Sequence, residues 1–293
     1  YNTKRSKNFF VRFLLEFAKS YLPEKIHSMI LFVRFFRKFK KEINKSKSNI
    51  KFSDNLDKIN QHEYKITSQN NEDGIIEHIF KKIPNEKYFV EIGFDLYECN
   101  GLNLIKNGWG GKLIDQNIEE CLALKSLLKH FFPNSKTIIS NEKIDINNIN
   151  DVAFSGLDKK IIDFFSIDID GNDYWVLKNT DLKRINVICC EYNHWVGNNV
   201  KKIMPYNSEH QVKDNVYFGA SLLAIHDLLK SRGFDLVAVD SSGTNAFFVK
   251  KKFAKYFEIL SPIESWRSVA RFQNENQAKK MRESVKNFKF VEL

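Results

Sequence analysis

Long apolar runs are missing from this chain. No stretch approaches the roughly 18 residues a bilayer-spanning helix needs, so a transmembrane helix is not expected. Cysteine is scarce, four in 293 residues, and Cys99, Cys121, Cys189 and Cys190 show neither C-x-x-C nor finger-type spacing. That excludes a zinc finger. The adjacent Cys189 and Cys190, inside an apolar run, suit buried thiols in a reducing cytoplasm. No G-x-G-x-x-G and no phosphate-loop lysine occurs, so pyrophosphate binding has no support. No internal repeat is visible. The chain opens at Tyr1 without a methionine, so an N-terminal piece is expected to precede it.

What is present favours a packed domain with an appendage. Hydrophobic residues make up 43% of the chain and 26 of them are Phe, ample for a core. The net charge of +10 is unevenly placed. Residues 1–51 carry 14 Lys/Arg against Glu16, Glu24 and Glu42, about +11, so the remainder is near neutral. A nucleic-acid enzyme would concentrate basic charge around its active site, so no nucleic-acid partner is expected.

Two basic amphipathic helices are expected over 8–22 and 23–43, the second opening on Pro23, a favourable first-turn residue. Phe and Lys/Arg on one helix fit an anionic membrane surface, here through residues 8–47, at the inner face of the membrane. Packing on the main domain, or on a twin subunit in a homodimer, is the competing reading. Residues 44–62 read as a polar linker. The expected division is therefore 1–60 as helical appendage and linker, and 61–293 as the main domain with a C-terminal helical tail.

From residue 74 the pattern alternates. Helical periodicity covers 74–83, 99–108, 118–131, 173–180 and 219–233, the last with its cap near Gly219, and residues 145–157 read as a helical or turning crossover. Short apolar runs at 88–93, 110–117, 135–140, 161–170, 185–193, 234–240 and 244–251 read as strands. Alternation means a mostly parallel sheet with helices on both faces. The last two strands have no helix between them and should pair antiparallel through 241–243.

Ligands of such sheets bind beyond the carboxyl ends of the strands, where strand order reverses. That rim holds Glu91 to Asp95, Asp115, Asn141 and Glu142, Asp168 to Asp173, and Glu191 to His194. Gly93 lets backbone pass close to a ligand, and Glu91 or Asp95 could take an amine or hydroxyl. Asp115, about 20 residues further on, is spaced to bond both ribose hydroxyls. The stretch "SIDIDGNDYW" crowds Asp168, Asp170 and Asp173 into six residues, and crowded carboxylates need a cation, a ligand's hydroxyls or a proton to offset their repulsion. A solvated strand-end turn is the plain alternative.

"SQNNEDGIIEHIF", "FVEIG" with "ECNGLNLIKNGWGGKLID", "SIDIDGNDYWVLK", "CEYNHWVG", "PYN", and "YFGASLLAIHDLLKSRGFDLVAVDSSGTNAFFV" occur in this order. Together they resemble the FkbM-like family of S-adenosylmethionine-dependent methyltransferases, over about residues 64–251. The resemblance implies an α/β, Rossmann-like class I methyltransferase sheet, mostly parallel and seven-stranded, with the hairpin at its end. It also implies S-adenosyl-L-methionine as cofactor, and methyl transfer to an oxygen of a small molecule or glycan, such as a surface-polysaccharide or lipid-linked precursor. Its motifs put the cofactor on Gln69, Glu91, Gly93, Asp95, Asp115 and Asp168. One departure stands out: relatives usually carry a second glycine after the first motif's glycine, whereas "GFDLYECN" offers only Gly93. Phe94, Leu96 and Tyr97 stand where small residues are usual.

The two acidic strand ends are similar to those of catechol-type O-methyltransferases, where such groups hold magnesium beside the acceptor hydroxyls. Asp168, Asp170, Glu191 and Asn193 would offer hard oxygen ligands for Mg²⁺ or Mn²⁺. Without a metal, Asp170 or His194 would take the hydroxyl's proton directly, with Glu191 beside them. His210 lies in a loop that could form an acceptor lid, and His226 reads as structural. Two rivals remain at this level. Asp168-Ile169-Asp170 is also the acid-x-acid pattern of metal-dependent glycosyltransferases, and the basic helices with a single-glycine loop also fit a non-catalytic membrane-tethered binding module.

Overall fold

The computed structural model describes residues 33, 36, 37, 39–41, 44, 47, 57–157, 160–210, 216–267 and 275–292. Two compact units divide the chain, Tyr1–Asn44 and Lys45–Leu293. In the first, the helix expected over 8–22 lies outside the described residues. Of that expected over 23–43, the described residues 33, 36, 37 and 39–41 are helical.

The second unit is built on one seven-stranded sheet. Its strands are β1 (Tyr88–Ile92), β2 (Gly110–Asp115), β3 (Thr137–Asn141), β4 (Ile162–Ile167), β5 (Ile185–Glu191), β7 (Phe234–Val239) and β8 (Asn245–Lys250). The order across the sheet is β3-β2-β1-β4-β5-β8-β7. The first five strands pair in parallel, and β8 runs antiparallel to both β5 and β7. The expected mostly parallel sheet with a terminal hairpin is therefore present. Helices cross between strands: α1 (Glu72–Lys82), α2 (Asn100–Lys106), α3 (Ile118–Phe131), α4 (Ile149–Phe154), α5 (Asp173–Asn179) and α6 (Leu222–Ser231). Every residue of β4 and of β7 is buried, as strands covered on both faces must be.

Several boundaries move from their expected places. The cap of α6 is Ser221, whose hydroxyl accepts from the Ala224 amide; Gly219 lies two residues earlier, where its φ of +51° turns the chain. The expected linker ends early. Residues Lys58–His62 form a 3₁₀ turn with Ile59 and Asn60 buried, and the Asn60 amide bonds Glu63 and the Val239 carbonyl. Arg267 closes this segment onto the hairpin through Asp57 and the Val239 carbonyl. Two further short strands, β6 (Lys202–Ile203) and β9 (Val291–Glu292), pair antiparallel apart from the main sheet. The tail is helical over α7 (Glu275–Ser284), and Val285 joins a small core with Trp195, Val216 and Phe218.

Register positions the site. Ile92 pairs with Ile114 on one side and Ile167 on the other, and Ile167 pairs with Cys190. The residues that follow each of these, Gly93, Asp115, Asp168 and Glu191, are thereby set side by side along one edge. Strand order reverses between β1 and β4, so the crevice opens there.

Candidate functional site

A cavity of about 650 Å³ lies over this edge, with Glu91, Gly93, Asp95, Asp115, Asp168, Asp170 and Glu191 among its lining residues. Gln69, Asn100, Ser166, Lys143, Glu209, His210 and Asn245 line it too. Carboxylates dominate the wall, so the field inside favours cations and hydrogen-bond donors.

Gly93 holds a φ of +80°, and a Cβ there would lie 1.6 Å from the Asp168 carbonyl oxygen. Only glycine lets the ends of β1 and β4 approach this closely. Glu91 faces the first turn of α2. Its carboxylate accepts from the Asn100 amide at 3.0 Å and the Gly101 amide at 2.6 Å, occupying donors that a helix start leaves open. Burial pushes its pKa up to about 7 against the pull of those amides. Asn100 lines the cavity, and its Oδ1 is buried with no hydrogen-bond partner among the described residues. Asp115 accepts from the Asn117 amide at 2.6 Å. Burial first, then the charges of Asp95 and Asp170, raises its pKa. Gln69 donates to Glu98 at 3.2 Å on the same wall.

The three crowded carboxylates after β4 divide their work. Asp173 is buried and accepts from the Ile169 amide at 2.8 Å and the Gly171 amide at 2.9 Å, so it builds the turn. Asp168 and Asp170 face the cavity, and with Glu191 they offer oxygens all within 4.8 Å of one another. Asp170 sits at a φ of +57°, a left-handed conformation that Asp tolerates better than most residues. Burial, then the neighbouring carboxylates, raises Asp168 well above the carboxylate range. Asp170 is exposed at the cavity, and partial desolvation there also raises its pKa, an effect that the nearby His210 partly offsets.

Two expected members are not brought into the cavity. Asn193 is buried with its amide nitrogen donating to the Val216 and Phe218 carbonyls at 2.9 and 2.8 Å, while its oxygen accepts from the Trp195 amide. It holds the chain turn after β5, so its ligand role is corrected to a structural one. His194 is buried against the rings of Trp195 and Phe218 and is not among the cavity-lining residues. Its place as the histidine at the site is taken by His210, which lines the cavity and packs so tightly on Gly171 that a Cβ there would lie 2.3 Å from its Cδ2. Reciprocal bonds between Asn172 and Asn207, at 2.7 and 3.2 Å, fasten the loop that carries it. The signal in the sequence was weak: a lone histidine in a polar loop, about 40 residues from the acids it meets.

The chain is distantly similar to several solved structures. The N-terminal domain of EvdMO1, solved with SAH bound, is 11% identical, with 74% of this chain and 94% of that one aligned at a TM-score of 0.42. An S-adenosylmethionine-dependent methyltransferase from Clostridium acetobutylicum is 12% identical over 60% and 89% of the two chains, with a TM-score of 0.37. An O-methyltransferase family protein from Burkholderia thailandensis is 9% identical over 56% and 51%, with a TM-score of 0.36. No curated protein matches the chain. The family model for the methyltransferase FkbM domain matches residues 32–236, beginning inside the expected appendage and running through most of the sheet, and the chain belongs to that family.

Proposed function

We propose that this domain transfers a methyl group from S-adenosylmethionine to a hydroxyl oxygen of a small molecule or glycan. The observation that carries the reading is the cavity at the strand-order reversal, walled by carboxylates from four adjacent strand ends. The residues present fit the cofactor. Gly93 lines the cavity where the methionine part would lie, the buried Oδ1 of Asn100 can accept from its ammonium, and Asp115 can accept from its ribose hydroxyls.

When bound, S-adenosylmethionine would supply a methyl carbon made electrophilic by the adjacent sulfonium. The chain's own work would be to hold an acceptor oxygen in line with that carbon and to receive the hydroxyl's proton. Asp170 is the group assigned to the proton, since it is the exposed member of the three clustered carboxylates and lines the cavity. Glu191 and Asp168 flank it and would orient further hydroxyls of the acceptor. The same three carboxylates fit a hard divalent ion, Mg²⁺ or Mn²⁺, which would lower the hydroxyl's pKa. Asn193 does not fit as a fourth ligand.

Family membership favours methyl transfer over the nucleotide-sugar reading of Asp168-Ile169-Asp170. We also propose that the basic N-terminal segment holds the protein on the anionic inner face of a membrane, near a lipid-linked or surface-glycan precursor. Calorimetric titration with S-adenosylhomocysteine and with nucleotide sugars tests the central reading. Binding of the first alone supports it, and binding of a nucleotide sugar alone rejects it.

A further inference from the structure

The turn after Gly93 raises a physical question. A loop that wraps a ligand needs its backbone fixed, and glycine-rich turns do this by adopting conformations other residues avoid. Here Gly93 is the one glycine of residues 93–99, and its successors are bulky. The loop is shaped by its side chains instead. Phe94 and Leu96 are turned inward, 3% and 0% exposed, while Asp95 and Glu98 remain exposed at the cavity. Asp95 accepts from the Tyr97 amide at 2.7 Å, and the Glu98 amide returns to the Asp95 carbonyl at 3.2 Å. The amide of the fully buried Leu96 has its acceptor on another element: Oε2 of Glu120, at 3.2 Å, in the first turn of α3.

That carboxylate is itself held. The Asn117 side-chain amide donates to Oε1 of Glu120 at 3.5 Å, and Asn117 caps α3 by accepting from the Glu119 and Glu120 amides. The Asn117 backbone amide in turn donates to Asp115. A carboxylate in a helix's first turn is favoured by the helix dipole, which suits Glu120 to the acceptor role.

We infer that Glu120 is a positioning residue for the cofactor: it fixes the loop that would face the methionine part, and through Asn117 it couples that loop to Asp115 on the ribose side. This rests on the cofactor reading above. Side-chain tethering thus fixes a turn in which Gly93 is the one glycine. Loss of the tether leaves the Leu96 amide without an acceptor, and the loop must rearrange or admit water to satisfy it.

The test is calorimetric titration of the full chain with S-adenosylhomocysteine, using the parent, Glu120→Ala, Glu120→Gln, Asp115→Ala and the Glu120→Ala/Asp115→Ala double variant. Glu120→Ala should bind roughly tenfold more weakly, while Glu120→Gln, whose amide oxygen can still accept, should stay within about threefold of the parent. The double variant should lose less than the product of the single losses, because the two sites share one hydrogen-bonded turn. The ligand-free Glu120→Ala variant should melt somewhat below the parent, because its Leu96 amide has lost an acceptor, and titrating well below that midpoint separates positioning from general destabilisation. Parent-like binding by Glu120→Ala overturns this inference alone, and strictly multiplicative losses overturn the coupling. A parent that does not bind removes the cofactor reading, and this inference with it.

Discussion

Asp168, Asp170 and Asp173 show how one short acidic stretch can do two jobs. Asp173 spends both oxygens on backbone amides of its own turn, while Asp168 and Asp170 meet Glu191 across the strand ends. We expect Asp170→Asn and Glu191→Gln to cut turnover of labelled methyl from S-adenosylmethionine by about 10²-fold or more, the scale of removing a general base. Affinity for S-adenosylhomocysteine should stay near that of the parent. Full activity in excess chelator would place the proton on Asp170 directly, whereas loss with chelator and recovery with Mg²⁺ or Mn²⁺ would establish the ion. Variants that turn over like the parent would remove these residues from the chemistry. The acids were legible in the sequence because their strand-end positions follow from apolar runs alone. The histidine was legible only in part: the loop of His210 was read as a possible acceptor lid, but the proton-taking role was given to His194. His194 follows β5 in sequence, yet the chain turns there on Asn193 and buries the ring against Trp195 and Phe218, whereas His210 returns from a distant loop.

At the scale of elements, the junction of β1 and α2 depends on Glu91. Its folded-state pKa is raised to about 7 by burial, and Cys99, Asp73 and Asp168 lie near enough to interact with it. A raised carboxyl contributes stability that is complete below its unfolded value, about 4.3, and is lost as pH rises through about 7. Unfolding by urea should therefore show stability falling between about pH 5 and 8, and Glu91→Gln should flatten that slope. An unchanged slope in the variant would contradict the assignment. Most element positions were readable because apolar periodicity and capping acted together. Helix α3 begins at Ile118 and ends at Phe131, its expected bounds, with Asn117 supplying the cap. The misses have long-range causes. Residues 57–62 read as linker because their composition is polar, but Asn60 and Glu63 are satisfied by the hairpin some 180 residues away. Strand β6 was hidden because two residues carry no period, and its partner lies in the tail.

At the scale of the whole molecule, charge and chemistry are segregated. The first 51 residues hold about +11 while the sheet's crevice is lined by acids. Each basic residue close to an anionic bilayer contributes about 1 kcal/mol, screened within a Debye length. A third of these charges would suffice for reversible attachment. Co-sedimentation with anionic vesicles should be strong for the full chain, weak for a chain beginning at Lys45, and reduced by salt; equal pelleting of the two would reject membrane attachment. No helix among the described residues is long and apolar enough to cross a membrane.

The most direct measurement of the central claim is calorimetric titration of the full chain and of Asp115→Ala with S-adenosylhomocysteine. The account predicts one site per chain in the parent and a loss of about 1.5–3 kcal/mol in the variant, the cost of removing a charged hydrogen-bond partner. An absence of binding by the parent, or equal affinity in the two proteins, would contradict it.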